Sequence, residues 1–429
     1  MTKHTVFVFI YLPGQREAVP AGIFVHDSEN HVGEFSYGKR YLERPDALPV
    51  DPVLCPLSGL IRPTQLLGGV FGGFRDSAPD AWGRLVVAKL LNRSTSQLLE
   101  IDFLLHGGAA RIGNLDFRKS LDASEPVSAV PLIANLGDLI QASQDLLAHK
   151  TVQPELLQVL VQGTSVGGAR PKCVIQYQDA LWLAKFPATK DTFNNPRVEW
   201  ATLTLAQKCG LDVAESQIFT LADQRDVLLV KRFDREYSEQ GYTRKGFISG
   251  LSLLAIDEMQ QDAWSYLTIA DEIRARGSQV CDLREMYARM AFNVACRNID
   301  DHPRNHGFFV ERDSIRLTPA YDLVSQPAIA GVGTDFFLAM QLGTLGRQAT
   351  VENLLSASPR FGLSMDEAKS ILAKIGHETA RWREHYSECG IPTEEAEQFS
   401  GSFSLATEMR DIHHQDCETS THESFGEGH

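Results

Sequence analysis

Asn298-Ile-Asp300-Asp301-His302-Pro303-Arg304-Asn305 is the stretch on which the reading of this chain turns. Two carboxylic acids, an imidazole, a guanidinium and two carboxamides fall within it. Such a concentration of polar groups is costly to bury without partners, so the segment is expected at a surface or along a cleft. Before it, Leu283, Met286, Tyr287, Met290, Ala291 and Val294 recur at helical spacing and predict an amphipathic helix ending near Arg297. After it, Gly307–Val310 and Ile315–Thr318 read as short strands joined by Glu311–Ser314. A solvated polar loop is one reading of the segment and a His/Asp metal site another. One histidine is too few for a typical zinc site, and hard oxygen donors favour magnesium.

The order helix, polar loop, hairpin sharpens the reading. The Asp300-to-Asn305 spacing matches the catalytic loop of protein kinases, where the acid accepts a hydroxyl proton and the carboxamide holds magnesium. Asp322 follows the hairpin in Thr318-Pro-Ala-Tyr321-Asp322, the position of a kinase's metal-binding aspartate. Taken alone, it also reads as a turn or cap aspartate.

Upstream, Gly163-Thr-Ser165-Val-Gly167-Gly168-Ala169-Arg170-Pro171-Lys172 carries adjacent glycines. These let a backbone approach an anion, and successive N–H groups can cradle phosphate oxygens. A plain tight turn reads the same way. Gly163 to Gly167 also has the G-x-S-x-G spacing of a hydrolase nucleophile elbow, which would make Ser165 a nucleophile. That elbow needs a helix after it, and Pro171 with a β-rich run follows instead. Lys185, in Leu181-Trp-Leu-Ala-Lys185-Phe, is either a snorkelling edge lysine or a phosphate-pairing one. Glu199 on the following helix is a candidate partner, or a solvated helix-face glutamate.

Around these pieces the chain divides. Residues 1–120 are rich in strand patterns, beginning with Val6-Phe-Val-Phe-Ile-Tyr-Leu12. A helix is expected from Ser77-Ala-Pro79-Asp80 to Leu91, with Ser77 as cap and Pro79 in its first turn. Residues 135–160 read as helical, and Lys172–Phe186 as a hairpin turning at Gln178-Asp179. A helix opens at Asn195-Pro196 and closes before Gly210. From about residue 250 the pattern is mostly helical, and Arg410–His429 reads as a polar, disordered tail.

The chain has 429 residues, 43% hydrophobic and 22% charged, which suits two to four packed units of a soluble protein. Lys plus Arg is 41 against 55 for Asp plus Glu, a net charge of −14. That argues against bulk affinity for nucleic acid or an anionic membrane. No run approaches the roughly 20 apolar residues that span a bilayer. The seven cysteines form no C-x-x-C pair. A reduced, cytoplasmic protein is expected.

At these residues the chain resembles the HipA family of bacterial toxin kinases. Asp80-Ala-Trp-Gly-Arg84 is similar to the family's N-terminal P-[DE]-G-W-G-R-type signature, with Ala81 where glycine is usual. Ser165 to Lys172 resembles its glycine-rich loop, Asp300 to Asn305 its catalytic motif, and Tyr321-Asp322 its metal motif. Arg232-Phe233-Asp234-Arg235 resembles its hinge segment. The chain lacks G-x-G-x-x-G, H-R-D and D-F-G, so the likeness is not to eukaryotic kinases.

The resemblance implies an α+β, bilobal, protein-kinase-like fold with a β-rich N-terminal lobe and a mostly helical C-terminal lobe. The expected divisions are an N-terminal subdomain over 1–130, an N-lobe portion over 131–235, a helical C-lobe over 236–410 and the tail over 411–429. It implies a serine/threonine kinase using ATP and Mg2+, with Asp300 as base and Asn305 and Asp322 on the metal. Nucleotide contacts would come from Gly167, Gly168, Ala169, Arg170, Pro171 and Lys172, and from Lys185. Lys231, Arg232 and Phe233 would lie beside the adenine; His302, Pro303, Arg304 and Tyr321 would complete the site. Ser165 would be autophosphorylated, switching the kinase off. Implied partners are a HipB-like helix-turn-helix antitoxin, operator DNA through that complex, and a protein substrate such as an aminoacyl-tRNA synthetase. Homodimer formation stays open. The competing classes are a catalytically inactive corepressor on the same fold and a serine hydrolase through Ser165.

Overall fold

The computed structural model describes residues 3–124, 130–162, 170–239, 241–277, 279–328 and 335–413. The chain forms two units that interleave along the sequence. The first comprises Met1–Pro196, Ala214–Met259 and His306–Thr318, the second Arg197–Val213, Gln260–Asn305 and Pro319–His429.

The first unit holds all fourteen strands named here. Strands β1 (Lys3–Tyr11), β2 (Ala18–Asp27), β3 (Val32–Tyr37), β4 (Arg62–Thr64) and β5 (Leu115–Arg118) form an antiparallel sheet in the order β4-β3-β2-β1-β5. Alternation explains β1: Val6, Val8 and Ile10 point inward and are fully buried. They meet Phe24, Phe35, Phe71, Phe74 and Phe117, whose rings pack edge to face.

A second sheet, in the order β6-β7-β9-β8, uses β6 (Lys172–Tyr177), β7 (Ala180–Lys185), β8 (Ser216–Thr220) and β9 (Asp226–Lys231). The β6–β7 hairpin turns at Gln178 and Asp179, both with φ near +50° (47° and 55°), as a two-residue turn matched to strand twist requires. Strands β10 (Arg235–Ser238) and β11 (Gly241–Arg244) pair with each other. Strands β12 (Gly246–Ser249), β13 (Gly307–Val310) and β14 (Ile315–Leu317) form a third sheet.

The unit's helices are α1 (Lys39–Leu42), α2 (Gly72–Ser77), α3 (Ala81–Leu90), α4 (Glu100–His106), α5 (Leu136–Leu147), α6 (Pro154–Val161) and, further along, α8 (Gly250–Leu253). Trp82 of α3, Leu139 of α5 and Leu160 of α6 share one core with Ile175, Trp182 and Leu229 of the second sheet.

Two local expectations are corrected. The cap of α3 is Asp80, whose Oδ1 accepts from the Gly83 N–H at 2.7 Å. Ser77 instead ends α2, its hydroxyl donating to the Gly73 carbonyl at 2.9 Å. The single helix expected over 135–160 is two, because His149 turns left-handed (φ 58°) and Pro154 restarts the chain at the first turn of α6.

The second unit is helical: α7 (Asn195–Lys208, whose first two residues belong to the first unit), α9 (Tyr266–Ala275), α10 (Val280–Ala295), α11 (Val351–Ala357), α12 (Met365–Thr379), α13 (Trp382–Glu388), α14 (Thr393–Ala396) and α15 (Ala406–Arg410). Among the described residues no helix is long and apolar enough to cross a membrane. The face of α10 read from the sequence is buried as expected: Met286, Tyr287, Met290, Ala291 and Val294 are fully buried. Helices α12 and α15 meet at Gly376. A Cβ there would lie 2.7 Å from the Ala406 carbonyl oxygen and 2.8 Å from the Met409 carbonyl carbon. Backbone cannot yield as a side chain can, so Gly376→Ala is expected to destabilise the protein by about 1–3 kcal/mol. A urea midpoint unchanged by the substitution would mean that the two helices do not pack this closely. Ile412, just past α15, is buried, so packing continues to the end of the described chain; residues 414–429 lie outside it.

Candidate active site

The polar loop of the second unit begins where α10 runs out. Arg297 takes a left-handed conformation (φ 54°), and the Asn298 N–H donates back to the Asn293 carbonyl at 2.9 Å. Behind this turn lies a buried chain of side chains. Asn298 Nδ2 donates to Asn293 Oδ1 at 3.0 Å, and Asn293 Nδ2 donates to the Tyr266 hydroxyl at 3.1 Å. The Tyr266 hydroxyl in turn donates to Asp301 Oδ2. Tyr266, Asn293 and Asp301 are fully buried. Burial, followed by the Asp301 carboxylate, pushes the Tyr266 hydroxyl well above its usual range, so it stays a donor. The network pins the loop from within.

It also separates the two adjacent acids. Asp301 is spent on structure, and its neighbour Asp300 is the exposed one. Although the residue is open to solvent, protein around the carboxyl raises its pKa, and the nearby Asp322 and Asp301 charges raise it further against an opposing effect of His302. His302 packs edge to face on Trp264, ring centroids 6.0 Å apart. Pro303–Asn305 make a 3-10 turn in which the Asn305 N–H donates to the His302 carbonyl at 2.8 Å. The Tyr321 hydroxyl donates to the Arg304 carbonyl at 2.7 Å, tying the segment that bears Asp322 to the loop. Further along, the Gln326 N–H reaches the Arg297 carbonyl at 3.3 Å. Asp322 itself holds a left-handed backbone (φ 60°), uncommon for a residue with a Cβ and concentrated at functional positions.

Asp300, His302, Arg304, Asn305, Tyr321 and Asp322 are therefore assembled in the second unit. Among the described residues no group of three His, Cys, Asp or Glu side chains is arranged to hold a metal. Asp322 and Asn305 offer oxygen donors, and the Asp322 charge that raises the Asp300 carboxyl marks a place where a cation would relieve repulsion. This fits magnesium, which takes one or two protein oxygens and completes its shell with phosphate and water.

The remaining candidates, Glu199 apart, belong to the first unit. Ser165, Gly167, Gly168 and Ala169 lie outside the described residues. Arg170 pairs with Asp191 at 2.5 Å, and the Pro171 carbonyl accepts from the Phe186 N–H at 3.0 Å. Lys185 ends β7, half-buried, directly opposite Lys172 on β6 and Leu228 on β9. Lys172 is 2% exposed, and its Nζ donates to Asp80 Oδ2 at 2.9 Å. Lys231 pairs with Glu215 at 2.6 Å.

Arg232 is buried against Asp234 and donates to the carbonyls of Ala110 and Arg111, so its guanidinium is engaged within the protein, and its backbone N–H donates to the Leu181 carbonyl at 2.9 Å. Burial pushes the Asp234 carboxyl up, but the Arg232 and Arg235 guanidiniums outweigh it and hold the group well below the usual carboxylate range. Phe233 lies against Phe247 and Phe309. Glu199 is 2% exposed on α7, which overturns the solvated reading of that glutamate.

Sequence reasoning missed the network behind the loop. Its signal was present: Asn293 sits between Phe292 and Val294, in the last turn of a helix whose neighbouring positions are apolar. It also missed that Asp80 and Lys172, far apart in the chain, form a buried ion pair.

These features define a protein-kinase-like fold, and the comparisons agree. A chain of the Shewanella oneidensis MR-1 toxin–antitoxin complex of HipA, HipB and operator DNA superposes with a TM-score of 0.69 at 18% identity, covering 94% of this chain and 97% of that one. The family model for the HipA-like C-terminal domain matches residues 164–383, and the chain belongs to that family. Toxin YjjJ of Escherichia coli is 23% identical over 59% of this chain and 59% of its own length. The serine/threonine-protein kinase toxin HipA of Shewanella oneidensis is 23% identical over 52% of this chain and 61% of its own. The putative kinase Y4mE of Sinorhizobium fredii is 24% identical over 75% of this chain and 78% of its own. The chain thus spans about three fifths of the length of the first two of these curated relatives.

Proposed function

We propose that this chain is a serine/threonine protein kinase toxin, using ATP and Mg2+ and neutralised by a HipB-like antitoxin. The observation that carries the reading is the division of labour in the loop: Asp301 buried under Tyr266, Asp300 exposed, with a raised pKa, beside Asp322. Asp300 orients a serine or threonine hydroxyl and takes its proton as the oxygen bonds to the γ-phosphorus. The bond to the β–γ bridging oxygen breaks, and ADP leaves. Asn305 and Asp322 hold magnesium, which when bound neutralises charge on the phosphates. Lys185 pairs with the α- and β-phosphates, the run from Gly167 to Lys172 covers them, and Lys231 to Phe233 lie beside the adenine. His302, Pro303, Arg304 and Tyr321 shape the floor. Little covalent work falls to the protein, so positioning and charge carry the rate.

Ser165 is the proposed site of inhibitory autophosphorylation, since a dianionic phosphate there would disfavour the phosphate-cradling loop. The protein substrate is a translation component such as an aminoacyl-tRNA synthetase, and operator DNA is met through the antitoxin complex. Support for the antitoxin and the operator DNA comes from the composition of the complex that contains the structural neighbour.

The test is transfer of radiolabelled γ-phosphate from ATP, with calorimetric ATP binding measured alongside. Lys185→Ala is expected to weaken ATP binding by about tenfold or more, the loss of one close charge-assisted contact. Unchanged affinity would refute the role of this lysine. Wild-type protein that neither binds nor hydrolyses nor transfers from ATP would refute the kinase reading itself.

A further inference from the structure

The motif Asp80-Ala-Trp-Gly-Arg84 is far in sequence from every group assigned to catalysis, and the mechanism above gives it no task. Its surroundings do. Asp80 caps α3 with one carboxylate oxygen, accepting from the Gly83 N–H at 2.7 Å. Its other oxygen accepts from Lys172 Nζ at 2.9 Å, and the two side chains are only 7% and 2% exposed. Two residues on, the Trp82 indole N–H donates to the Lys172 backbone carbonyl at 3.1 Å. One turn of one helix therefore grips a single residue by both its side chain and its backbone. Lys172 is the first residue of β6, where the glycine-rich run joins the sheet, and it stands directly opposite Lys185. Arg84 does different work. It lies over the Phe103 ring, 4.3 Å from the centroid, donates to both Glu100 carboxylate oxygens at 2.7 Å, and so braces α3 against α4.

We propose that Asp80 and Trp82 are positioning residues of the nucleotide site: they latch the start of β6 and thereby set the register in which Lys185 and the end of the glycine-rich run are presented. The proposal rests on the kinase reading for its functional consequence and on the geometry alone for the latch. Removing one member of a buried, hydrogen-bonded charge pair is costly, so the latch is specific in chemistry as well as shape. Lys172 then acts from behind the site through its amine, and faces the nucleotide only through its backbone.

The experiment compares Asp80→Asn, Trp82→Phe and, as a control on the same helix, Arg84→Lys. Steady-state kinetics with ATP and a protein or peptide acceptor, thermal melting, and hydrogen exchange of the 172–177 amides without nucleotide are measured for each. The expected result is a KM for ATP raised about tenfold or more in Asp80→Asn and Trp82→Phe, because small displacements of positioning groups carry large penalties. Their kcat and acceptor KM should change little, and their first β6 amides should exchange faster. Arg84→Lys should lower the melting temperature without changing the KM for ATP. If all three variants lose thermal stability with the ATP KM unchanged, the motif is merely structural and the proposal fails. If Asp80→Asn does not fold, Trp82→Phe decides, since it keeps an aromatic ring in the core and removes the indole N–H, the lost volume being read separately by thermal melting. Should the wild-type protein bind no ATP, the kinase reading falls by that measurement. The exchange data then judge the latch: unaltered protection at residues 172–174 in Asp80→Asn and Trp82→Phe would overturn it.

Discussion

Asp300→Gln should fold, bind ATP and transfer phosphate about 10²–10⁴-fold more slowly than the wild type, the usual cost of losing a general base. The substitution replaces the carboxylate with a neutral carboxamide one carbon longer at an exposed position, and the hydrogen bonds that hold the loop run through Asp301 instead. The sign of the stability effect follows from the raised carboxyl pKa. A carboxyl whose pKa is higher folded than unfolded favours the folded state only while protonated, and that advantage is lost as pH rises through the folded value. At neutral pH the ionised Asp300 is therefore a mild burden, and glutamine should leave the melting temperature unchanged or slightly higher. The same shift predicts that wild-type kcat/KM falls, on acidification, at a higher pH than the ordinary aspartate value of about 3.9. Phosphoryl transfer at the wild-type rate in Asp300→Gln would remove the base assignment.

The companion prediction concerns Asp322. Asparagine tolerates the left-handed backbone at this position (φ 60°) at least as well as aspartate, so Asp322→Asn should keep its fold. Metal affinity is another matter. Outer partners of metal ligands already cost about 10–100-fold when removed, and a direct ligand should cost at least that in magnesium-dependent ATP binding. Removing the Asp322 charge also removes one of the influences that raise Asp300. Carbon-detected NMR titration of the Asp300 carboxyl should show its midpoint moving down in Asp322→Asn without nucleotide. An unmoved midpoint, or magnesium dependence equal to wild type, would separate Asp322 from the site.

How much of this could be read in advance differs by element. Helix α10, the loop after it and the hairpin β13–β14 were legible because their patterns are local: apolar residues at helical spacing, then a polar cluster, then two short β runs. The β6–β7 hairpin was legible for the same reason. The cap of α3 was misassigned because Ser77 and Asp80 are both good caps, and only the end of α2 decides between them. The break at His149 was missed because nothing in a histidine announces a left-handed residue. Partnerships across long sequence distances were out of reach. Asp301 and Asp300 are the same residue type side by side, and which faces inward depends on Tyr266, contributed by a separate helix. Arg232 looked like a ligand contact, but its guanidinium is satisfied by Asp234 and two carbonyls that no local pattern predicts.

The weaving of each unit from three stretches of chain bears on how the protein is made. On the ribosome, the strand pair Gly307–Val310 and Ile315–Leu317 emerges only after two of the second unit's three stretches have been translated, yet among the described residues β12 has no other strand with which to pair. Neither unit can complete itself as a simple N-terminal nascent domain. Cutting the gene at any unit boundary before His306 should therefore yield fragments with unpaired strand edges, prone to aggregate rather than to fold as independent halves.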